Sequence, residues 1–593
     1  MVRDASAATA LRTHRAGALD RSHVGQIVRL AGWVHRRRDL GSLVFIDLRD
    51  RAGLVQLSLS PDWTPAGIIE RAQTVGAESV ILATGRVALR PNPSRDDAMG
   101  SREVEVYVTE LSVVGPAGTP AIPVARKDNE ELAAEELRLK HRVLDLRRPE
   151  LQRNLVLRHR LAQRARQVLS ELGFLEVETP ILTKPTPEGA RDYLVPSRVH
   201  QGEFYALPQS PQIYKQLLMV AGLDRYFQIA RCFRDEDLRA DRQPEFTQID
   251  IESSFVTDED VMGFVEAVLV GLWDEAGESV VAPFPRLRHR DALERFGIDK
   301  PDTRYGFEIR DVTAMLGADR APFLAAVGAN GVRFRGIVAE AGGDLTRKDF
   351  DALTQAAKDA GAGGLVWMRF GAGWEGAGAK AVGPAFTAGL RGLAGDVFLG
   401  VSGTDPVTSP ALHAVRTALI RRLQPAATTK HAFLWVVDFP LFELDPTTGR
   451  QVFVHHPFTS PHADDLAFLE SDPGRCRAIH YDAVYNGNEL GSGSIRIIDP
   501  ALQQRVFEFL GIGPEDQRRR FGFLLDALAT GAPPMGGFAI GFDRVAMLLA
   551  GATSLREVIA FPKTTAARAL FEGAPTKVNP ADLEALGIVA TRA

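Results

Sequence analysis

Apolar and polar residues alternate between Val24 and about Val114, which is the period of strands that bury one face. Turn residues such as those at Asp50–Gly53 separate the alternating runs. Several short strands of even spacing in one continuous segment are typical of a small closed barrel. The pattern therefore predicts a five-stranded β-barrel with strands at Ile27–Val34, Leu43–Leu48, Leu54–Leu59, Val80–Val87 and Val104–Val108.

The pattern changes after the barrel. The segment Gly115–Glu130 carries prolines without apolar periodicity, which predicts a hinge. From there the apolar positions follow a helical period, and one stripe runs from Leu151 to Leu172 until Gly173 ends it. A strand at Phe174–Glu178 follows and stops at Pro180.

Further strand-like runs recur along the second half of the chain, and few are joined by short helical crossovers, which favours an antiparallel or mixed sheet. They lie at Arg225–Arg231, Gln248–Ser254, Phe433–Asp438, Ser494–Ile498 and Gly537–Ile540. A Gly- and Ala-rich stretch interrupts them and predicts an inserted α+β module. The sequence thus predicts an α+β multidomain chain: a barrel over 1–115, a hinge over 116–150, a body in two parts over 151–299 and 430–560, the insertion over 300–429, and an extension over 561–593.

Composition and charge leave the predicted fold unchanged and narrow the classes of function. With 45% hydrophobic and 24% charged residues the chain resembles a soluble enzyme, which excludes a disordered or fibrous protein. The net charge of −5 gives no global attraction to a polyanion, so a nucleic-acid site has to be a local basic patch. Two distant cysteines provide neither a disulfide framework nor a zinc site, which favours the cytoplasm. No apolar run is long enough to predict a membrane span.

Candidate chemistry is densest at Phe233–Asp250, where acids and arginines join two apolar runs. A solvated charged hairpin would explain this composition. Two positions favour a ligand site instead: Arg234 lies at the inner end of the first strand, and Asp250 lies within the second. A guanidinium there can hold a phosphate in two hydrogen bonds, and a strand carboxylate can accept from an ammonium group.

A second stretch, Gly537–Arg544, runs from a glycine-rich strand into a helix. Core packing is the plain interpretation of such a pattern. The alternative is functional: glycines let a flat ring approach the backbone, and Arg544 near a helix start attracts an anion.

A third stretch places Asp482 and Glu489 before a Gly/Ser turn and Arg496. Two carboxylates suit a magnesium ion that also takes phosphate oxygens, although Asp482 capping a turn is an open alternative. The adjacent His455 and His456 point to opposite faces of an extended chain, so one faces a ligand and the other the core.

Together these blocks resemble the class II aminoacyl-tRNA synthetases. Phe233–Asp250 is similar to their motif 2, Gly537–Arg544 to motif 3, and the helix and strand ending at Pro180 to motif 1. Thr186–Tyr193 and Gln209–Lys215 are similar to the aspartate site of the bacterial aspartyl members, and the insertion at 300–429 has the position of their GAD-like domain. The resemblance covers essentially the whole chain.

The resemblance implies an ATP-dependent ligase that joins L-aspartate to the 3′-terminal ribose of tRNA(Asp), acts as a cytoplasmic homodimer and uses Mg²⁺. It implies that aspartate contacts Glu188, Gln212, Lys215, Arg234, Asp250, His455, His456 and Arg496. It implies that ATP contacts Arg234, Asp235, Glu236, Gln243, Glu489, Gly541, Phe542, Asp543 and Arg544, with Asp482 and Glu489 on the metal. Arg234, Glu489 and Arg544 are the implied catalytic residues.

For the barrel, the resemblance implies an OB fold that binds the anticodon. The implied contacts are Arg36, Arg38, Leu40, Phe45 and Gln56, an aromatic and basic set that suits unpaired bases. The loop Leu40-Gly41-Ser42 resembles that of strictly aspartate-specific members, whereas relaxed members tend to carry His-Gly-Gly. This predicts discrimination against tRNA(Asn).

Two departures stand beside the resemblance: Met535 replaces a usual histidine and Ser492 a usual glycine. Two alternatives also stay open. The first is an asparaginyl- or lysyl-type synthetase. Arg496 and Lys215 argue against it, because two cations favour a ligand with an acidic side chain. The second is a nucleic-acid-binding protein with a vestigial catalytic body, against which Arg234, Glu489 and Arg544 speak.

Overall fold

The computed structural model describes residues 8–93, 101–125, 130–185, 190–236, 242–340, 342–445 and 448–589. The chain forms two compact units. The first comprises Met1–His159, Leu238–Gln243 and Ala546–Asn579, and the second Arg160–Asp237, Pro244–Val545 and Pro580–Ala593.

The first unit contains the predicted closed barrel, with strand order β1-β2-β3-β5-β4. Its strands are β1 (Ile27–Asp39), β2 (Val44–Asp50), β3 (Gly53–Leu59), β4 (Val80–Leu89) and β5 (Val104–Gly115), and helix α1 (Ala66–Thr74) joins β3 to β4. Val28, Leu30 and Val34 alternate into the buried core. β1 continues past its predicted end because, after a bulge at Val34, the arginines that follow still pair with β2. That part of the ribbon is exposed on both sides, so it lacks the apolar alternation that marks a half-buried strand.

The segment predicted as a hinge contains two short helices, α2 (Glu135–Lys140) and α3 (Arg142–Asp145). Arg142 is buried and donates to the carbonyl oxygens of Arg556 at 2.6 Å, Ile559 at 2.8 Å and Ala560 at 2.8 Å. Its guanidinium also pairs with Asp145 at 2.7 Å. This part of the segment is therefore tied to the Ala546–Asn579 stretch of the same unit.

Helix α4 (Pro149–Glu171) is the predicted amphipathic helix. Gly173 follows it at φ +82°, a conformation that ends helices and favours glycine. Most of the apolar stripe packs inside the chain, including Leu161, Ala165 and Leu169, whereas Val156 is 44% exposed. The protein's own core thus covers most of the stripe but not all of it.

The first part of the body consists of two long strands, β9 (Arg225–Phe233) and β10 (Glu245–Ser254), with short strands and helices before and after them in the chain. In chain order, the other elements are β6 (Leu175–Glu176), β7 (Leu194–Pro196), β8 (Phe204–Ala206), α5 (Gln212–Val220), α6 (Asp258–Glu275), β11 (Arg286–Arg288) and α7 (His289–Phe296).

The inserted α+β module is a five-stranded antiparallel sheet with helices packed on it. Its elements are β12 (Ile309–Asp311), β13 (Arg333–Ala339), α8 (Arg347–Asp359), β14 (Val366–Phe370), β15 (Trp374–Glu375), α9 (Ala377–Val382), α10 (Pro384–Gly389), β16 (Val397–Gly403) and α11 (Asp405–Leu423). The order is β12-β13-β16-β14-β15. Buried Arg335 of β13 donates to the carbonyl oxygens of Leu293 at 3.0 Å and Glu294 at 2.7 Å, which fastens the module to α7.

After the insertion the body resumes, as predicted. Its remaining elements are β17 (Phe433–Val437), β18 (Phe442–Leu444), β19 (Gln451–Phe453), α12 (Phe468–Ser471), β20 (His480–Tyr485), β21 (Asn488–Ile495), α13 (Pro500–Phe509), α14 (Pro514–Leu528), β22 (Met535–Gly541), α15 (Phe542–Leu549) and α16 (Pro580–Ala585).

One eight-stranded sheet joins both parts of the body in the order β11-β17-β20-β21-β22-β10-β9-β6. The interior pairs are antiparallel and the two edge strands pair in parallel, so the sheet is mixed, as predicted. The expectation of a Gly/Ser turn at Gly491–Gly493 is wrong. These residues lie within β21, because β22 approaches so closely that a Cβ at Gly491 or Gly493 would meet its backbone. Across the described residues, no helix combines the length and apolar character needed to cross a membrane.

Candidate active site

A cavity of about 280 Å³ in the second unit lies against α5 and the central strands of the eight-stranded sheet. It collects every described residue that was predicted to bind the amino acid: Gln212, Lys215, Arg234, Asp250, His455, His456 and Arg496. Glu188 was predicted to join them and lies outside the described residues. Gln209 and Ser210, from the segment that resembles the aspartate site, also line the cavity, and so does His480, which was not predicted as a site residue.

Two cations and two carboxylates form a buried cluster at the floor of this cavity. The Lys215 Nζ lies 3.0 Å from Asp250 Oδ1 and 3.2 Å from Glu252 Oε2. Arg496 holds Glu252 with two parallel hydrogen bonds, from Nε at 2.8 Å and from Nη2 at 2.9 Å. All four side chains are almost completely buried, so each charge depends on the others for its stability.

Glu252 is the functional residue that sequence reasoning missed. It lies two residues after Asp250 on β10, and the side chains of both reach the same buried cluster. Gly537 of β22 pairs with Glu252 and has no room for a Cβ, because the carboxylate fills that space. The sequence carried one signal for Glu252: it is a second acid, two positions after Asp250, in a mainly apolar strand. A glycine-rich strand also occurs later in the chain.

The hydrogen bonds that Arg496 makes within the protein limit the number of donors that it can offer a ligand. Nε and Nη2 each donate to Glu252, and the two N–H groups of Nη1 donate to Ser494 Oγ at 2.6 Å and to His456 Nε2 at 2.9 Å, so the second N–H of Nη2 is the one left for a ligand. Because arginine only donates, the His456 Nε2 accepts and its ring is neutral. Burial and the Arg496 guanidinium hold the pKa of His456 well below its ordinary value.

Burial and charge act in opposite directions on the two carboxylates. Burial raises the pKa of Asp250 to about 6, even though the Lys215 ammonium opposes the shift. Burial also favours protonation of Glu252, but Arg496 and Lys215 outweigh it and hold the Glu252 pKa below its ordinary value. Glu252 is therefore the permanent counter-charge, and Asp250 is the carboxylate whose charge responds to pH.

Arg234 follows β9 directly and presents a guanidinium at the cavity wall. Its backbone N–H donates to Pro244 at 2.9 Å, and its guanidinium carbon lies 5.0 Å from the centre of the Phe246 ring. The buried Nε has no hydrogen-bond partner. A buried donor without a partner is costly, so this side chain is suited to an anionic ligand such as phosphate.

The chain next to Arg234 is held by the segment at 190–192. The backbone N–H of Asp235 donates to the backbone oxygen of Arg191 at 3.0 Å, and Arg191 Nε donates to the backbone oxygen of Asp235, also at 3.0 Å. Gln209 bridges to Ala190 with two hydrogen bonds of 2.9 Å. Of the remaining residues predicted for ATP in this region, Glu236 lines the cavity and Asp235 is exposed.

Gln243 belongs to the first unit, where its side chain is buried. Its amide donates to Lys563 O at 3.0 Å and accepts from Lys563 N at 2.9 Å. Gln243 was predicted to bind ATP, and in the structure its side-chain amide binds the backbone of Lys563.

The motif at Gly541–Arg544 anchors the start of α15. Asp543 Oδ2 accepts from the Thr247 backbone at 2.9 Å, and Arg544 Nη1 donates to the Glu489 backbone oxygen at 2.6 Å. Phe542 is buried, and a side chain on Gly541 would press on the Leu490 carbonyl. Arg544 therefore ties the end of β22 to the β21 residue that was predicted to bind magnesium.

Asp482 and Glu489 lie on neighbouring strands, β20 and β21. Burial, with the charges of Glu489 and Asp299, raises the pKa of Asp482 well above its ordinary value. Lys300 Nζ lies 3.5 Å from Glu489 Oε2. The described residues contain no group of three or more metal-ligating side chains, so this pair fits a Mg²⁺ ion only together with phosphate oxygens, which is its usual mode at nucleotide sites.

Histidines form the wall between these carboxylates and the amino-acid end of the cavity. The rings of His455 and His480 stack with centroids 3.2 Å apart and an interplanar angle of 9°. His480 Nε2 lies 2.8 Å from Asp482 Oδ1. Burial lowers the pKa of His455 to about 3 and that of His480 well below its ordinary value, so both rings are neutral.

The barrel brings together three of the five residues predicted to bind the anticodon. The Arg38 guanidinium lies 5.4 Å from the centre of the Phe45 ring, and its Nη2 donates to Gln56 Oε1 at 2.9 Å. Arg90 donates to the same oxygen at 3.0 Å. The other two predicted residues, Arg36 and Leu40, are exposed.

Comparisons with known proteins agree with this geometry. Residues 134–565 match the family model for class II tRNA synthetases (D, K and N), and residues 28–114 match that for the OB-fold nucleic acid binding domain. A Geotalea uraniireducens protein named aspartate--tRNA(Asp/Asn) ligase is 47% identical and covers 97% of this chain and 98% of its own. A Bacillus licheniformis protein named aspartate--tRNA ligase is also 47% identical, with the same two coverages.

Solved structures share the fold at lower identity. The asparaginyl-tRNA synthetase of Pyrococcus horikoshii has a TM-score of 0.57 at 19% identity, covering 92% of this chain and 96% of its own. The aspartyl-tRNA synthetase of Entamoeba histolytica also has a TM-score of 0.57, at 18% identity, with coverages of 94% and 91%. Family model, full-length relatives and fold agree, and the chain therefore belongs to the class II tRNA synthetases, in the family of the bacterial aspartate--tRNA ligases.

Proposed function

We propose that this protein activates L-aspartate with ATP and transfers it to the 3′-terminal ribose of tRNA(Asp). One observation carries the proposal: a single cavity combines the buried Lys215–Asp250–Glu252–Arg496 cluster with the unpartnered Nε of Arg234. The cluster supplies both signs of charge for an amino acid with an acidic side chain. Arg234 supplies the donor for phosphate.

The amino-acid end follows from charge matching. Lys215 and the second N–H of Arg496 Nη2 suit the side-chain carboxylate of aspartate, and Asp250 suits its α-ammonium group. Glu252 holds Arg496 in place and prevents two cations from standing together without a counter-charge. An amide side chain would leave these buried charges less well compensated, which favours aspartate over asparagine.

The first step needs no protein nucleophile. The α-carboxylate of aspartate attacks the α-phosphorus of ATP, the new bond to the acyl oxygen forms, and pyrophosphate leaves. Arg234, which lines the cavity, stabilises the charge that develops on the α-phosphate, and we assign Arg544 to the departing phosphates from the motif to which it belongs. In the second step a ribose hydroxyl of tRNA attacks the aspartyl carbonyl and AMP leaves. Catalysis then consists of positioning and electrostatic stabilisation.

Asp482 and Glu489 would hold Mg²⁺ together with phosphate oxygens of ATP. When bound there, the ion would offset the negative charge of the phosphates. Burial and the charge of Glu489 disfavour the ionised form of Asp482 and raise its pKa, so a cation bound between the two carboxylates would favour that ionised form.

We assign the anticodon to the barrel, at Arg38, Phe45 and Gln56 with exposed Arg36 and Leu40. Leu40 is 70% exposed at the tip of the β1–β2 hairpin, where an apolar side chain offers no hydrogen bond to a wrong base. The proposed enzyme therefore discriminates against tRNA(Asn). In this assignment residues 1–115 bind the anticodon and residues 151–299 and 430–560 carry the chemistry.

We also propose a cytoplasmic homodimer. The surface offered for pairing is the β6 edge of the sheet, where Leu175 is 54% exposed, with Ile181 and Leu182 exposed beyond it. An exposed sheet edge with apolar neighbours is suited to a second copy. This edge belongs to the helix and strand that resemble motif 1, the element expected to pair two copies; most of the α4 stripe is buried, and its Val156 is 44% exposed. The chain has two cysteines, both buried, which agrees with a reducing compartment.

Aspartate-dependent exchange of labelled pyrophosphate into ATP tests the chemistry, with asparagine and lysine as matched alternatives. We expect exchange with aspartate and little with the other two. Aminoacylation of purified tRNA(Asp) then tests the second step. Exchange that prefers asparagine or lysine would contradict the proposal. Binding of tRNA without any exchange would support the vestigial alternative.

A further inference from the structure

His480 occupies a place in the cavity that none of the assignments above explains. It is the first residue of β20, it is 3% exposed, and it lines the cavity beside His455 and His456. Its pairing in the sheet puts it opposite Ser494 of β21. It stands between the carboxylate proposed to hold the metal and the histidines proposed to contact aspartate.

Two contacts fix the His480 ring. Its Nε2 lies 2.8 Å from Asp482 Oδ1, which is a hydrogen-bond distance. Its face stacks on His455 at 3.2 Å between centroids. The remaining nitrogens, His480 Nδ1 and His455 Nε2, are both buried without a hydrogen-bond partner. Buried polar atoms are rarely left without partners, so these two are suited to a bound group or water.

We propose that His480 is a positioning residue that links the two ends of the site: it orients Asp482 through the hydrogen bond between its Nε2 and Asp482 Oδ1, and it holds the His455 ring by stacking. The inference rests on the proposed roles of Asp482 and His455. The physical reason is that a carboxylate that binds a metal needs a fixed second partner to aim its free oxygen. The stacked neighbour fixes the plane of His455 in the same way.

Two substitutions separate the two contacts. His480→Gln keeps an N–H that can reach Asp482 but removes the ring, and His480→Phe keeps a ring against His455 but removes the donor. His480→Ala removes both. His413→Gln serves as the control, because this histidine lies in the inserted module and contacts Phe296 O at 3.3 Å. Thermal unfolding of each variant checks that it folds.

Aspartate binding is measured by titration calorimetry without ATP, and metal binding by electron paramagnetic resonance of Mn²⁺ in the presence of ATP. We expect His480→Gln to weaken aspartate binding by about threefold to tenfold, the range for a lost ring contact, and to leave Mn²⁺ binding unchanged. We expect His480→Phe to weaken Mn²⁺ binding by about tenfold, the lower range for a lost outer partner, and to leave aspartate binding unchanged. His480→Ala should show both losses.

Equal effects of the Gln and Phe variants on both ligands, or no effect of either, would overturn the linkage. Asp482→Asn separates this failure from a failure of the proposed function. If Asp482→Asn leaves Mn²⁺ binding intact, then Asp482 is not a metal residue and the inference falls with that assignment. If Asp482→Asn weakens Mn²⁺ binding but His480→Phe does not, the metal assignment stands and only the role of His480 is refuted.

Discussion

Replacing Arg496 by leucine separates the two tasks that the structure gives this residue. Arg496 holds Glu252 through Nε at 2.8 Å and Nη2 at 2.9 Å, and its remaining N–H, on Nη2, is available to a ligand in the cavity that Arg496 lines. The substitution therefore removes a structural ion pair and one ligand contact together. Their costs differ in size and can be measured independently.

The stability cost comes from Glu252. In Arg496→Leu this buried carboxylate keeps only Lys215, at 3.2 Å, and loses a bidentate partner. Removing one half of a buried pair costs about 3–5 kcal/mol. The catalytic cost is smaller, because a single N–H, on Nη2, remains for the substrate. A hydrogen bond to a charged group contributes about 1.5–3 kcal/mol, which corresponds to a loss of about 10- to 150-fold in kcat/KM for aspartate.

The double variant Glu252→Leu/Arg496→Leu is the matched control. It removes one positive and one negative charge, so Lys215 and Asp250 remain as a balanced pair at 3.0 Å. Replacing a buried pair by apolar residues is often neutral or stabilising, so we expect the melting temperature to recover. Aspartate-dependent pyrophosphate exchange should stay low in both variants, and the Michaelis constant for ATP should change little. Recovery of exchange to within about tenfold of the wild type in the double variant would refute the ligand role of Arg496.

Three further predictions follow from the same structure. Because burial raises the pKa of Asp250 to about 6, its carboxylate takes up a proton as the pH falls through that value. The Michaelis constant for aspartate should rise from pH 7 to about pH 5 in the wild type and stay high at all pH values in Asp250→Asn; a flat wild-type profile would contradict this. Aspartylation of tRNA(Asp) should exceed that of tRNA(Asn) by about 5- to 150-fold in kcat/KM, since Leu40 leaves the wrong base unsatisfied, and comparable rates would contradict discrimination. Sedimentation should give twice the chain mass of 64.6 kDa, and Leu175→Lys at the exposed sheet edge should shift it toward the monomer; a fully active wild-type monomer would argue against the dimer.

Local patterns were enough to predict much of this protein. The period of the apolar residues predicted the five barrel strands and helix α4, because each depends on neighbours a few positions apart. The position of Arg234 at the end of a strand, and of Asp250 within one, could be read in the same way, since a strand boundary is a local property. The motifs that resemble the class II synthetases lie in such short segments, so they identified the family before any contact was known.

The contacts that give the site its chemistry were decided by the tertiary structure. Arg496 and Glu252 are 244 positions apart, and they meet because β21, β22 and β10 are neighbours in the sheet. In the same register, Gly491–Gly493 pair with neighbouring strands and form part of β21. The Glu252 carboxylate occupies the space that a Cβ at Gly537 would need. The sequence by itself determined which residue types were present and which segments were strands or helices. Which charges face each other depended on strand order and register, and these are set by the packing of the whole sheet.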